Sequence, residues 1–276
     1  MFFKLVIHIL VSFAAAEALS FTYNGFQSVN LSLDGIAGVT PNGILRLTND
    51  TKLSKGHAFY PHPVTFKNSS NATVFSFSTT FVFAIRSKYS ELSGHGMAFV
   101  VAPTRGLPGA FPSQYLGLFS EINNGNATNH VFAVELDTVR TIEFNDINEN
   151  HVGIDVNGLN SVISASAGYY PLRQNHARFK NLTISTGQAM QVWVDYDGTE
   201  KQINVSLAPI REGKPNIPLL SHRQDLSPIL NKAMYVGFSS STGSFLTSHY
   251  VMGWSFKMNG KAQELFLSQL PMGNRT

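Results

Sequence analysis

Past residue 20, apolar and polar positions alternate in short runs separated by turn residues. That period of two marks strands with one buried face. In 74–85, Phe75, Phe77, Phe81 and Phe83 share one face, and Ser76, Ser78 and Thr80 take the other. In 179–186, Leu182 and Ile184 oppose Asn181 and Thr183. Strands at 191–195 and 202–207 flank Asp197-Gly198, with Ile203, Val205 and Leu207 inward and Asn204 outward. An Asp-Gly pair predicts a tight hairpin in which both turn positions take positive φ. The pattern also predicts strands at 43–47, 96–101, 131–137, 151–157, 234–239 and 249–256. Helical periodicity is almost absent. So many strands without intervening helices predict an all-β fold, two antiparallel sheets packed as a sandwich over 21–260, followed by a C-terminal tail at 261–276. Nothing divides the chain further. Long loops are expected at 87–94, 105–115 and 138–150, and loops on a rigid scaffold are where binding groups gather.

Composition narrows the class. Charged residues make up 13% of the chain, about half of the roughly 25% usual in soluble domains, and there are 21 Phe. Disorder and coiled coils are excluded, since both need abundant charge and few aromatics. A net charge of +3 is too small and too scattered for a nucleic-acid footprint. A basic start at 1–4, an apolar run at 5–11 and small residues at Ala14, Ala15, Ala16 and Ala18 read as a signal peptide over 1–20. The apolar run is too short for a membrane anchor, and no second span follows. N-x-S/T triplets at Asn30, Asn49, Asn68, Asn71, Asn126, Asn181, Asn204 and Asn274 add the expectation of a secreted glycoprotein. Cysteine is absent.

The richest chemistry lies in 131–157. Glu135 and Asp137 are two apart on a strand, so their carboxylates leave one face. Such a pair repels unless a cation or proton sits between its members. Asp146 and His151 return from the following loop. One imidazole and three carboxylates suit a divalent ion that accepts mixed ligands, such as Mn²⁺. Ca²⁺ would use oxygens only, from Asp137, Asp146 and a loop carbonyl. Spacing alone fits equally well a solvated acidic stretch beside an ordinary histidine.

The segment VELDTVRTIEFNDINENHVGID resembles the metal-binding stretch of the legume (L-type) lectins, a strand E-x-D-T followed by a loop returning through D and H-[IV]-G-[IV]-D. The resemblance covers nearly the whole mature chain. FTYNGF at 21–26 is similar to the family's N-terminal strand, and FSFSTTFVFAI at 75–85 to its central front strand. GHGMAFVVAP at 94–103 resembles its first sugar-binding loop, YLGLF at 115–119 its second, and VGFSSSTG with HYVMGWSF at 236–256 its last loop and strand. The variants look most like the extracellular domains of plant lectin receptor-like kinases. The resemblance implies a legume-lectin jelly roll, with Mn²⁺ held by Glu135, Asp137, Asp146 and His151. It implies Ca²⁺ held by Asp137, Asp146 and the Val139 carbonyl, with the family's fourth Ca²⁺ ligand, an Asn, replaced by Thr141. That Asn also bonds the sugar. The family's sugar-binding Asp, which follows a strained cis peptide, falls on His95, and a glycine offering a backbone N–H falls near Ser113 or Gln114. The implied carbohydrate-binding set is therefore His95, Ser113, Thr141 and Phe245. Phe245, in the loop 241–248, either stacks on a pyranose or packs under its own loop.

The expected function is a secreted plant-type lectin in the apoplast or at the cell surface, with a partly degraded sugar pocket. It would bind a glycan or cell-wall component and serve defence or wall surveillance. The alternative is a lectin-fold sensor for a non-monosaccharide ligand: a wall fragment, peptide, nucleotide or receptor partner. An enzyme is not expected. β-Glucanases of this architecture use E-x-D-x-E with two catalytic glutamates, and the third acid here is Val139. A homodimer through the flat back sheet is open, with glycans on Asn181 and Asn204 as possible obstacles.

Overall fold

A computed structural model describes residues 19–89, 92–172 and 178–272. The expected signal peptide lies outside these residues except for Leu19 and Ser20, and Asn274 lies wholly outside. Two antiparallel eight-stranded sheets pack face to face. The front sheet, defined here by the acidic strand, runs Ile163–Ser166, His151–Val156, Phe132–Asp137, Met97–Ala102, Ala233–Ser241, Lys55–Phe59 and Ser32–Gly35, with Val64–Thr65 beside Ala233–Ser241. The back sheet runs Leu220–Arg223, Gln202–Pro209, Met190–Asp197, Phe77–Ser87, Thr247–Met258, Leu45–Thr48 and Gly38–Val39, with Ser20–Tyr23 beside Thr247–Met258.

The core between the sheets is aromatic. Phe77, Phe81 and Phe83 from the back sheet meet Phe99, Phe132 and Phe238 from the front. Trp254 joins the layers. It is fully buried, its indole N–H donates to Thr79 Oγ1 at 3.0 Å, and its ring lies 4.9 Å from Phe238. The central front strands are buried on both faces, because loop residues Leu107, Leu116, Leu118 and Phe119 cover Ala98, Val100 and Ala133 from outside. Strands covered on both sides read as continuous apolar runs, which is why MAFVVA does not alternate. On the outer side of the back sheet, Leu265 and Leu270 from the expected tail cover Val82, Ala84 and Met252.

Three sequence expectations are corrected. The stretch 75–85, expected in the front sheet, forms Phe77–Ser87 at the centre of the back sheet, paired along its length with Thr247–Met258. Only Lys180–Asn181 of 179–186 is strand. There the Asn150 side chain takes the place of a neighbouring strand, donating to the Leu182 carbonyl at 2.7 Å and accepting from Ile184 N–H at 3.0 Å. The hairpin at Asp197-Gly198 is not a two-residue turn, since its strands end at Asp197 and resume at Gln202. Asp197 Oδ1 accepts from the N–H groups of Thr199 and Glu200, and the left-handed residue is Lys201 at φ 55°. Gly198 is required by space instead: a Cβ there would stand 2.1 Å from the Val74 carbonyl oxygen.

Candidate metal centre and binding loops

Strand register assembles the acidic cluster. Phe132, Val134 and Leu136 point into the core, so Glu135 and Asp137 emerge on the opposite, loop-covered face. His151 pairs directly with Asp137, and Gly153 with Glu135. One ligand atom each from Glu135, Asp137 and His151 lies within 4.8 Å of the others, and all three residues are buried. The loop brings Asp146 Oδ1 to 3.9 Å from His151 Nε2. Three of the four expected transition-metal ligands therefore gather, with Asp146 beside His151.

The donor set fits a divalent ion. His151 Nδ1–H donates to the Asn148 carbonyl at 2.8 Å, which aims Nε2 at the carboxylates; such a second-shell bond fixes the tautomer a metal needs. Without an ion, protons take its place. Burial first, then the Glu135 charge, push Asp137 up to about 8. Burial alone would lower His151, but the hydrogen bond and charge of Glu135, with the Asp137 charge, raise it to about 9. Nε2 lies 3.1 Å from Glu135 Oε1 and bonds it.

Oxygens on the Ca²⁺ side are already occupied. Asp137 Oδ1 accepts from Val139 N–H at 2.8 Å, and Asp146 Oδ2 from Thr141 N–H at 2.5 Å. Thr141 is buried and caps the short 3-10 turn Ile142–Phe144, and its own carbonyl accepts from Phe144 N–H at 3.1 Å.

Sequence reasoning missed two members of this cluster. Ser161 Oγ lies 2.8 Å from Glu135 Oε1 and 2.7 Å from Asp155 Oδ1, bridging them, while Asp155 Oδ2 is buried without a partner. Burial and then the Glu135 charge hold the Asp155 carboxyl well above its usual range. Asp155 was legible, since it shares the parity of His151; Ser161 comes from a turn whose path no local pattern shows. A Cβ on Gly153 would stand 2.1 Å from Ser161 Oγ and 2.4 Å from Glu135 Oε1. Gly153→Ala is therefore expected to cost about 1–3 kcal/mol by overpacking and to abolish metal-dependent stabilisation. Thermal unfolding with and without Mn²⁺ checks this, and an unchanged metal response would refute it.

The expected carbohydrate-binding residues sit on loops next to this centre. Thr138 joins the two regions, its Oγ1 donating to the Gly94 and His95 carbonyls at 2.5 Å each. His95 Nε2 bonds Ser113 Oγ at 2.9 Å. Ser113 has φ 65°, a backbone region that suits glycine, and its N–H donates to the Thr242 carbonyl at 3.3 Å. All described peptide bonds are trans, including the one before His95. Phe245 is 41% exposed. Thr141 is on the adjoining loop, with Val139 half-buried before it. Phe111, Tyr115 and Phe144 extend this rim, with ring centroids 6.0 and 5.5 Å apart. The clefts lined by Pro103, Leu107 and Phe119, and by Asp197, Asn204 and Arg223, lie elsewhere.

Comparison with known proteins agrees with this geometry. The legume lectin domain model matches residues 18–272. L-type lectin-domain containing receptor kinase IV.1 of Arabidopsis thaliana is 56% identical over 264 residues, covering 95% of this chain and 39% of that protein. The rice receptor kinase SIT2 (Oryza sativa subsp. japonica) is 52% identical over 259 residues, covering 94% of this chain and 38% of that protein. The chain thus spans about two fifths of the length of these relatives. Among solved structures, lectin II from Ulex europaeus superposes with a TM-score of 0.73 at 28% identity, covering 89% of this chain and all of that one. Among the described residues no helix is long and apolar enough to cross a membrane. Fold, acidic cluster and binding loops agree with the sequence match: this chain belongs to the legume lectin domain family.

Proposed function

We propose that this protein is an extracellular carbohydrate-binding domain with an intact transition-metal scaffold and altered monosaccharide contacts, so that simple sugars bind weakly. One observation carries the reading: the acidic strand reaches the loop of His95 directly through Thr138. A divalent ion held by Glu135, Asp137, Asp146 and His151 would supply a fixed positive charge behind that loop. Protein side chains would do the binding, with Ser113 and Thr141 offering polar groups and Phe245 an exposed ring. The missing carboxylate and amide leave sugar hydroxyls without partners, each worth about 1–3 kcal/mol. Mn²⁺ suits the cluster better than Ca²⁺ suits its neighbour, because Thr141 turns its N–H rather than a ligand oxygen toward Asp146. We read the chain as a binding module rather than an enzyme, since Val139 leaves the glucanase acid set incomplete. We further read it as a secreted glycoprotein of the apoplast or cell surface with a role in defence. Leu265 and Leu270 on the back sheet favour a monomer.

A plant cell-wall glycan array tests the reading. Metal-loaded protein should be retained on a subset of polysaccharides, with retention lost on chelation and in Glu135→Ala. Retention that survives both treatments, or none on any glycan, would sink it.

A further inference from the structure

We propose that His95 is an internal plug: its imidazole fills the space between the binding loops that a sugar ring would need. The inference rests on the carbohydrate-binding reading and concerns what blocks that site. Two segments close on the ring. Nε2 bonds Ser113 Oγ at 2.9 Å. At the same edge of the ring, a Cβ on Gly243 would stand 2.8 Å from both Cδ2 and Nε2, and 3.3 Å from Ser113 Oγ. The loops around it are tied together, with Ser241 Oγ donating to the Ser113 carbonyl at 2.6 Å and Gly94 N–H to Thr247 Oγ1 at 2.6 Å.

The buried histidines of these loops and sheets show what a purely structural imidazole does here, whereas His95 is only partly buried. His57 bonds Asp34 and the Gly117 carbonyl, His151 bonds Asn148 and Glu135, and His249 bonds Thr48 and the His95 carbonyl; each uses both nitrogens. His95 uses one. Its Nδ1 is buried with no partner among the described residues. An unpaired buried polar atom destabilises the closed arrangement, and moving the ring out breaks a single hydrogen bond. Burial keeps the ring neutral by lowering its pKa to about 4, so no ion pair holds it either. A well-packed side chain with an unmet polar atom is an occupant that a ligand can displace.

The test is cavity complementation combined with sugar binding. His95→Gly should leave a ring-shaped cavity. Millimolar imidazole should then raise the Tm of the variant by several degrees while leaving the wild type unmoved, because a ligand bound only by the folded state stabilises it. Binding of a monosaccharide panel should tighten at least tenfold in the variant. His95→Ala, which also vacates the ring's place, gives the same readouts if the glycine variant folds poorly. Imidazole rescue with no glycan bound by either protein would keep the plug and overturn the carbohydrate reading. No imidazole effect, together with glycan binding equal to or weaker than the wild type's, would overturn the plug and leave the carbohydrate reading standing.

Discussion

Above about pH 6.5, where the buried neutral histidines no longer titrate, metal-stripped protein is expected to lose stability as pH rises, and to regain it on addition of Mn²⁺. The sign follows from Asp137 and His151, and the Asp146 and Asp155 carboxyls, raised first by burial, act in the same direction. Asp137 moves from 3.8 up to about 8 on folding. Its contribution is complete below 3.8 and is lost as pH passes through about 8. His151 moves from 6.5 up to about 9, so its contribution is complete below 6.5 and is lost toward about 9. Both windows run the same way, because in each case the folded state binds the proton more tightly. An ion replaces those protons and requires the deprotonated ligands, so its affinity rises over the same range. At a thousandfold excess over its Kd, a folded-state ligand adds about 4 kcal/mol. Thermal unfolding across pH, with chelator or with Mn²⁺, should therefore give two curves that diverge upward in pH. Parallel curves would mean that the cluster does not hold the ion. In Glu135→Ala the Mn²⁺ curve should fall onto the chelated one.

Trp254→Ala is expected to destabilise the fold by about 3–5 kcal/mol, the usual range for removing a fully buried aromatic. Trp254 is the largest fully buried side chain and touches both layers: Thr79 beside it in the back sheet, Phe238 across in the front sheet, and Phe21 at 4.7 Å from the first strand. Its loss empties the joint between sheets, and among the described residues Phe21 then keeps Tyr23, Tyr60 and Phe256 as ring partners. For a domain of this size the midpoint should fall by roughly 10 °C. Urea unfolding followed by circular dichroism measures the change. A loss below about 1 kcal/mol would show that neighbouring rings refill the space, and that the joint is less rigid than its packing indicates. Because the same long strand runs from Thr247, beside the binding loops, to Met258, this variant should also weaken glycan retention at temperatures where the wild type is fully folded.

The acidic centre was nearly complete in the sequence. Glu135 and Asp137 share a face by parity alone, and His151 begins the next strand with the same parity. What parity does not carry is the third neighbour: Ser161 reaches Glu135 from a separate turn and ties in Asp155. The binding loops were less legible. Family resemblance implied ligand contacts at His95 and near Ser113, but not that these two side chains bond each other. The φ of Ser113 agrees with the glycine that the resemblance implied near that position. Lys55–Phe59 went unnoticed because Lys, Gly and His hide a buried strand; Gly56 is needed there since a Cβ would stand 1.9 Å from the Leu47 carbonyl oxygen.

By itself the sequence determined the class of fold, most of the long strands and the faces of the acidic pair, because these depend on alternation among residues a few positions apart. Tertiary structure decided which sheet received 75–85, since its neighbours on either side are doubly covered strands of similar pattern. It decided that Asn150 rather than a strand would pair with 182–184, and that Asp197 would wrap a wider turn than Asp-Gly favours. It also decided whether the binding loops stand open. That depends on where an imidazole 18 positions from Ser113 comes to rest, and long-range packing, not local periodicity, sets such a distance.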